Sequence, residues 1–85
     1  MKEKDWFVYI IQNEKGYFYT GITTNIERRF NEHAASKKGA KFFRSGAPLD
    51  LLFQRKFKNR SEASKFEAEV KKLSRTKKME LIAHG

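Results

Sequence analysis

Two phenols, a guanidinium, an imidazole and a carboxylate are the groups in this chain whose types and spacing suit chemistry. Tyr9 and Tyr19 sit in two aromatic-rich apolar runs separated by the polar segment Asn13-Glu14-Lys15-Gly16, which reads as a β-hairpin. If Ile11 faces Tyr17, the antiparallel register sets Tyr9 opposite Tyr19 on one face of the sheet. Arg29 and His33 are i, i+4 neighbours on a helix, so a fixed cation stands beside a group that titrates near pH 6.5. Glu67 and Glu69 flank the apolar stripe of a later helix at equal angles, and periodicity alone does not choose between them. Taken singly, the phenols read as cross-strand packing, His33 as a half-buried histidine, and either glutamate as the partner of a nearby lysine. Their reading changes only if the fold brings them together.

The elements that must position these groups follow from apolar spacing. Trp6 to Gln12 is apolar on both faces, as a central strand is, and Tyr17 to Thr23 pairs with it. Gly21, beside Tyr19, marks a bulge, an easy strand exit or a point where another backbone or a ligand comes close. Thr24-Asn25-Ile26-Glu27 has the pattern of a capping box, with Thr24 as the cap. Ile26, Phe30 and Ala34 form the buried stripe of the helix that follows, which puts Arg29 on its near flank and turns Arg28 to solvent. Ser36 to Pro48 reads as a loop. A third strand is predicted from Leu49 to Phe57 with Leu49, Leu51, Phe53 and Phe57 on one apolar face. Ser61 is the expected cap of a second helix, with Ala63, Phe66, Val70 and Leu73 facing inward. Ser74-Arg75-Thr76 breaks that helix, and Met79, Leu81 and Ile82 close the core in a short last helix, leaving His84 at a frayed end. The expected fold is α+β: a three-stranded, mostly antiparallel sheet with flanking helices in the order β-β-α-β-α-α. One domain is expected over residues 1–85, with its core over about 6–83.

Composition narrows the partners. Nineteen Lys and Arg against ten Asp and Glu give a net charge of +9 on 85 residues, which favours a polyanion. From Lys37 to Arg60, eight basic residues stand against Asp50 alone. Lys37, Lys38, Lys41 and Arg44 are candidates to hold phosphates, while Phe42 and Phe43 either stack on bases or fold inward over the core. Because aromatics are interleaved with these cations, and the cations do not line one amphipathic helix, nucleic acid is expected and a membrane surface is not. There is no cysteine, which removes disulfides and thiolate metal sites and suits a reducing cytoplasm. No apolar run approaches the roughly 18 residues of a membrane span.

In order and spacing these pieces resemble the GIY-YIG nucleases, most closely their small stand-alone YhbQ/YazA-like group, over residues 6 to 83. Phe7-Val8-Tyr9 stands where the family has Gly-Ile-Tyr, and Tyr19-Thr20-Gly21 where it has Tyr-Ile-Gly. Asn25 to His33 is similar to the family's first functional helix, which selects Arg29 with His33. Ser61 to Glu67 is similar to its second, in which the glutamate four residues after the alanine binds the metal, which selects Glu67 over Glu69. The family's first glycine is Phe7 here, and no asparagine follows Asn59.

The resemblance implies hydrolysis of phosphodiester bonds, in DNA first, selected by structure more than by sequence. Glu67 would hold one Mg²⁺ or Mn²⁺, and no small-molecule cofactor is expected. Arg29 would grip the scissile phosphate through its planar fork. Tyr9 and Tyr19 would orient the attacking water, with Tyr9, Tyr19 or His33 as its base. The alternative is a nucleic-acid-binding module that keeps the fold without turnover, or an accessory protein associated with RNA.

Overall fold

A computed structural model describes residues 4–35 and 48–84. The segment carrying Lys37, Lys38, Lys41, Phe42, Phe43 and Arg44 lies outside the described residues, as does the side chain of His33.

Strand β1 (Trp6–Asn13) is the centre of the sheet, with β2 (Phe18–Thr23) and β3 (Pro48–Phe57) antiparallel on either side. The sheet is therefore antiparallel throughout, and the expected α+β architecture is the observed one. Both faces of β1 are covered because its side chains are apolar on both. Tyr9 and Ile11 pack under Ile26 and Phe30 of α1 (Ile26–Ala35), with Tyr19 of β2 beside them. On the other face Ile10 and Phe53 pack against Phe66 and Val70 of α2 (Arg60–Lys71) and Leu81 and Ile82 of α3 (Arg75–His84). The helix α3 runs through His84, one turn longer than a frayed end would allow.

The hairpin register differs from the expected one by two residues. Ile11 pairs with Tyr19 and Tyr9 with Gly21, while Tyr17 lies in the turn. Setting Ile11 opposite Tyr17 would leave the single residue Glu14 to reverse the chain, fewer than the two a hairpin turn needs. The observed loop has three residues closed by Asn13 and Tyr17. The Asn13 amide donates to the Tyr17 carbonyl at 2.9 Å, the Gly16 amide donates to the Asn13 carbonyl, and the Asn13 carboxamide oxygen accepts from the amides of Lys15 and Tyr17. Gly16 has φ +86°, the left-handed position at which such a loop ends. Because the shift is even, Tyr9 and Tyr19 keep the same face and meet diagonally, with ring centroids 6.2 Å apart.

Strand β3 also departs from simple alternation. Ile10 pairs with Phe53 but Ile11 with Leu51, so Leu52 is an extra residue in a bulge. The bulge splits the single apolar face expected for this strand. Leu51 lies opposite Ile11 on the α1 side, whereas Phe53 and Phe57 meet Phe66 of α2.

Both expected caps move by one or two residues. Asn25 caps α1, its side-chain oxygen accepting from the Arg28 amide at 3.0 Å, so the Thr24–Glu27 box is not the device used. The preceding Thr23 hydroxyl is tied to the backbone of Asn25 in both directions. Asn59 caps α2 by accepting from the Glu62 amide at 2.9 Å, in place of Ser61. Asparagine is among the strongest caps, and in each case it stands where the strand leaves the sheet.

Two stability measurements check this packing. A Cβ at Gly21 would lie 2.5 Å from the Tyr9 hydroxyl and 2.8 Å from its ring carbon. Gly21→Ala should therefore cost about 1–3 kcal/mol in urea unfolding, and a loss under about 0.5 kcal/mol would mean that Tyr9 does not cross this glycine. Asn59→Ala should cost about 1 kcal/mol while Ser61→Ala costs nearly nothing; the reverse order would return the cap to Ser61.

Candidate active site

The absence of a side chain at Gly21 shapes the centre of the site. Tyr9 lies opposite this glycine, so its ring occupies space that any other residue would fill, and the Tyr19 ring edge comes within 3.2 Å of the same point. Gly21 thus marks a close approach of side chains from its own hairpin, where its sequence position suggests a bulge, a strand exit, or the approach of another backbone or a ligand. Tyr9 is 1% exposed and forms the floor, while Tyr19 is half-buried beside it.

Arg29 reaches this floor from α1. It sits one residue before Phe30, on the flank of the stripe that packs on Tyr9 and Ile11, and its guanidinium donates a hydrogen bond to the Tyr9 phenol oxygen. A second bond holds the other side of the fork: Nη1 donates to Glu32 Oε1 at 3.2 Å. Burial alone would lower the Arg29 pKa, but the hydrogen bonds to Tyr9 and Glu32 outweigh it and raise it. Arg29 is thus a fixed cation with its head oriented from two sides. Glu32 did not emerge from the sequence reading, although its i, i+3 spacing from Arg29 is a recognisable pairing signal.

Burial pushes the Tyr9 pKa up to about 12, against the pull of the hydrogen bond from Arg29 and with smaller upward contributions from Tyr19 and Glu67. Glu67 acts on Tyr9 from α2, the helix of the opposite face, so its charge is felt at the phenol. Its side chain is 21% exposed and pairs with Lys71 at 3.3 Å. Glu69 is exposed on the same helix, so the geometry separates two glutamates that periodicity left equal. His33 is in α1 one turn after Arg29.

Among the described residues there is no group of three or more His, Cys, Asp or Glu able to enclose a metal. A partly exposed single carboxylate suits a cation that keeps most of its waters, which is the habit of Mg²⁺. Glu67 has that exposure and would be the residue to hold such an ion, in exchange for its pairing with Lys71. Among the described residues no helix is long and apolar enough to cross a membrane.

Comparison with known proteins gives the chain a family. The GIY-YIG catalytic domain matches residues 5–80. A UPF0213 protein of Desulfotalea psychrophila is 52% identical over 91% of this chain and 70% of its own length. The UPF0213 protein YhbQ of Escherichia coli is 44% identical over 94% of this chain and 79% of its own. The solution structure of a UPF0213 protein from Bacillus halodurans superposes with a TM-score of 0.60 at 43% identity, covering 93% of this chain and 83% of that one. The convergence of Tyr9, Tyr19 and Arg29 at Gly21, with the charge of Glu67 acting on it, therefore has a family context: the chain belongs to the GIY-YIG domain family and, within it, to the UPF0213 proteins.

Proposed function

We propose that this protein is a divalent-metal-dependent endonuclease acting on phosphodiester bonds of DNA, with structure more than sequence as its selector. The observation that carries this reading is Arg29, a guanidinium oriented by Tyr9 and Glu32. Phosphodiester hydrolysis needs a preoriented cation where charge develops on the phosphate, and an anchored fork supplies one without reorganisation at the moment of reaction. Mg²⁺ at Glu67 supplies Lewis acidity and neutralises phosphate charge when bound.

The phenols divide the remaining work. With its pKa near 12 and its ring in the floor, Tyr9 is the least suited of the three candidate bases. Its task is to hold Arg29 in position. Proton removal from the attacking water falls to Tyr19, which is half-buried, or to His33. Basic residues of the 37–44 segment, Lys37, Lys38, Lys41 and Arg44, hold the flanking phosphates, with Phe42 and Phe43 stacking on bases.

A second reading is supported by the Glu67–Lys71 pair and the burial of Tyr9: a nucleic-acid-binding module on the same fold that has no turnover. Salt-sensitive binding without metal-dependent cleavage would identify it.

The nuclease reading is tested by nicking of plasmid, single-stranded and branched DNA in Mg²⁺ or Mn²⁺. Arg29→Ala and Glu67→Ala should each lower the cleavage rate by about 10²–10³ while the melting transition is retained; cleavage unaffected by both ends the mechanism. The role given to Tyr9 predicts a late-titrating phenol. The phenolate absorbance of the wild type minus that of Tyr9→Phe should rise with a midpoint near pH 12, and a midpoint near 10 would place the group in water, free to act as a base. The folded pKa is the raised one, so Tyr9 binds its proton more tightly in the folded state. Its contribution to stability is complete below about pH 10 and declines as the pH rises toward 12.

A further inference from the structure

On the sheet face away from Arg29, α3 and the turn end of the hairpin enclose a pocket of about 260 Å³. Phe18, Leu52, Met79 and Ile82 make most of its wall, and Gln12 and Arg75 are its polar groups. The bulge matters here, because the extra residue Leu52 faces this side as Phe53 does. Met79 is 53% exposed at the pocket, a large apolar side chain open to solvent. The Arg75 guanidinium lies over the Phe18 ring, 4.2 Å from its centroid.

The surroundings are strongly basic. Lys71, Lys72, Arg75, Lys77 and Lys78 fall within eight residues that contain no carboxylate. The run begins at Lys71, which is paired with Glu67, and reaches the pocket wall at Arg75; Lys77 is paired with Glu80. An apolar slot with Arg75 in its wall, on a helix whose flanking sequence is basic, matches one chemistry closely: a chain of phosphates carrying flat aromatic groups. A purely aliphatic ligand would leave the Gln12 amide and the Arg75 guanidinium without partners, whereas a base edge offers donors and acceptors to an amide. Stacking of Arg75 on Phe18 already has the geometry that a base would extend.

We propose that this pocket receives one unstacked base of a nucleic-acid strand, with Arg75 and the neighbouring lysines on the adjacent phosphates. The proposal rests on the nucleic-acid part of the reading above and adds a base-binding subsite on the second face of the sheet. It selects strands with an unpaired base, since a base held in a duplex cannot leave its stack without an added cost.

The test is equilibrium binding in EDTA, so that cleavage plays no part. A fluorescein-labelled twelve-nucleotide oligothymidylate is compared with an abasic strand of the same length and charge. Wild type should prefer the base-bearing strand by about fivefold or more. Ala83→Phe, which fills the slot from the exposed side of α3, and Met79→Glu, which puts a carboxylate at its wall, should remove that preference and leave the melting temperature within a few degrees. Equal binding of the two strands by wild type, or a preference untouched by both variants, overturns the proposal. So does a concentration-dependent dimer abolished by Ala83→Phe, which would make the slot a self-association surface, or equal competition by an acidic aromatic peptide of matched charge. Failure of metal-dependent cleavage with base preference intact would remove the nuclease reading and leave the pocket. Loss of base preference with cleavage intact would do the opposite, and binding of neither strand would remove both.

Discussion

The site depends on a ring that crosses a glycine. Tyr9 occupies the volume that a side chain at position 21 would need, and that overlap lets Tyr9, Tyr19 and Arg29 share one point of the sheet. The constraint is steric first and electrostatic second. Once the phenol is fixed over Gly21, its oxygen has few directions in which to accept a hydrogen bond, and Arg29 on α1 fills one of them. The arginine in turn is held by Glu32, so the position of a single glycine extends through two hydrogen bonds to the face of a helix.

Burial gives Tyr9 its place and limits its chemistry. A phenol that loses its proton only near pH 12 is a poor acceptor at neutral pH but a reliable neutral partner for a cation. The nearby charges make this sharper: Arg29 pulls the pKa down, yet desolvation wins and Glu67 and Tyr19 add to it. The two tyrosines of the hairpin are therefore not equivalent, although sequence alone makes them look like a matched pair. Tyr19, half-buried, keeps access to the surface that Tyr9 has lost.

That difference shows what a sequence can and cannot carry. The faces of β1, the Ile26 and Phe30 positions of the α1 stripe and the separation of Arg28 from Arg29 depend on periodicity, which is a local property, and each is found as expected. The hairpin register depended on how few residues can reverse a chain, and a two-residue error in it preserved the faces while changing the partner of Tyr9 from Tyr19 to Gly21. The bulge at Leu52 left no periodic trace, because an inserted residue looks like continued alternation until its neighbour strand is known. Both caps were misplaced for one reason. Thr24 and Ser61 fit cap patterns as well as Asn25 and Asn59 do, and only the exit direction of the strand decides between them. Periodicity left Glu67 and Glu69 equal; the family resemblance selected Glu67, and where α2 lies against the sheet leaves Glu69 exposed and Glu67 half-buried.

Glu67 joins the two faces of the molecule, and its partner sets the terms on which it can act. At 3.3 Å from Lys71, its carboxylate already has a cation, on a side chain that is 57% exposed. An ion pair at such a surface is weak, so a more strongly held cation or a nearby phosphate displaces it at little cost. Lys71 also begins the basic run that passes Arg75. A phosphate chain laid along that run would compete with Glu67 for Lys71, and the carboxylate so released is the one whose charge acts on Tyr9. If Glu67 takes a cation as proposed, strand binding and cation binding would be favourably coupled through one lysine. Such a link requires no rearrangement of the sheet, only the exchange of one i, i+4 pair for a stronger partner on each side.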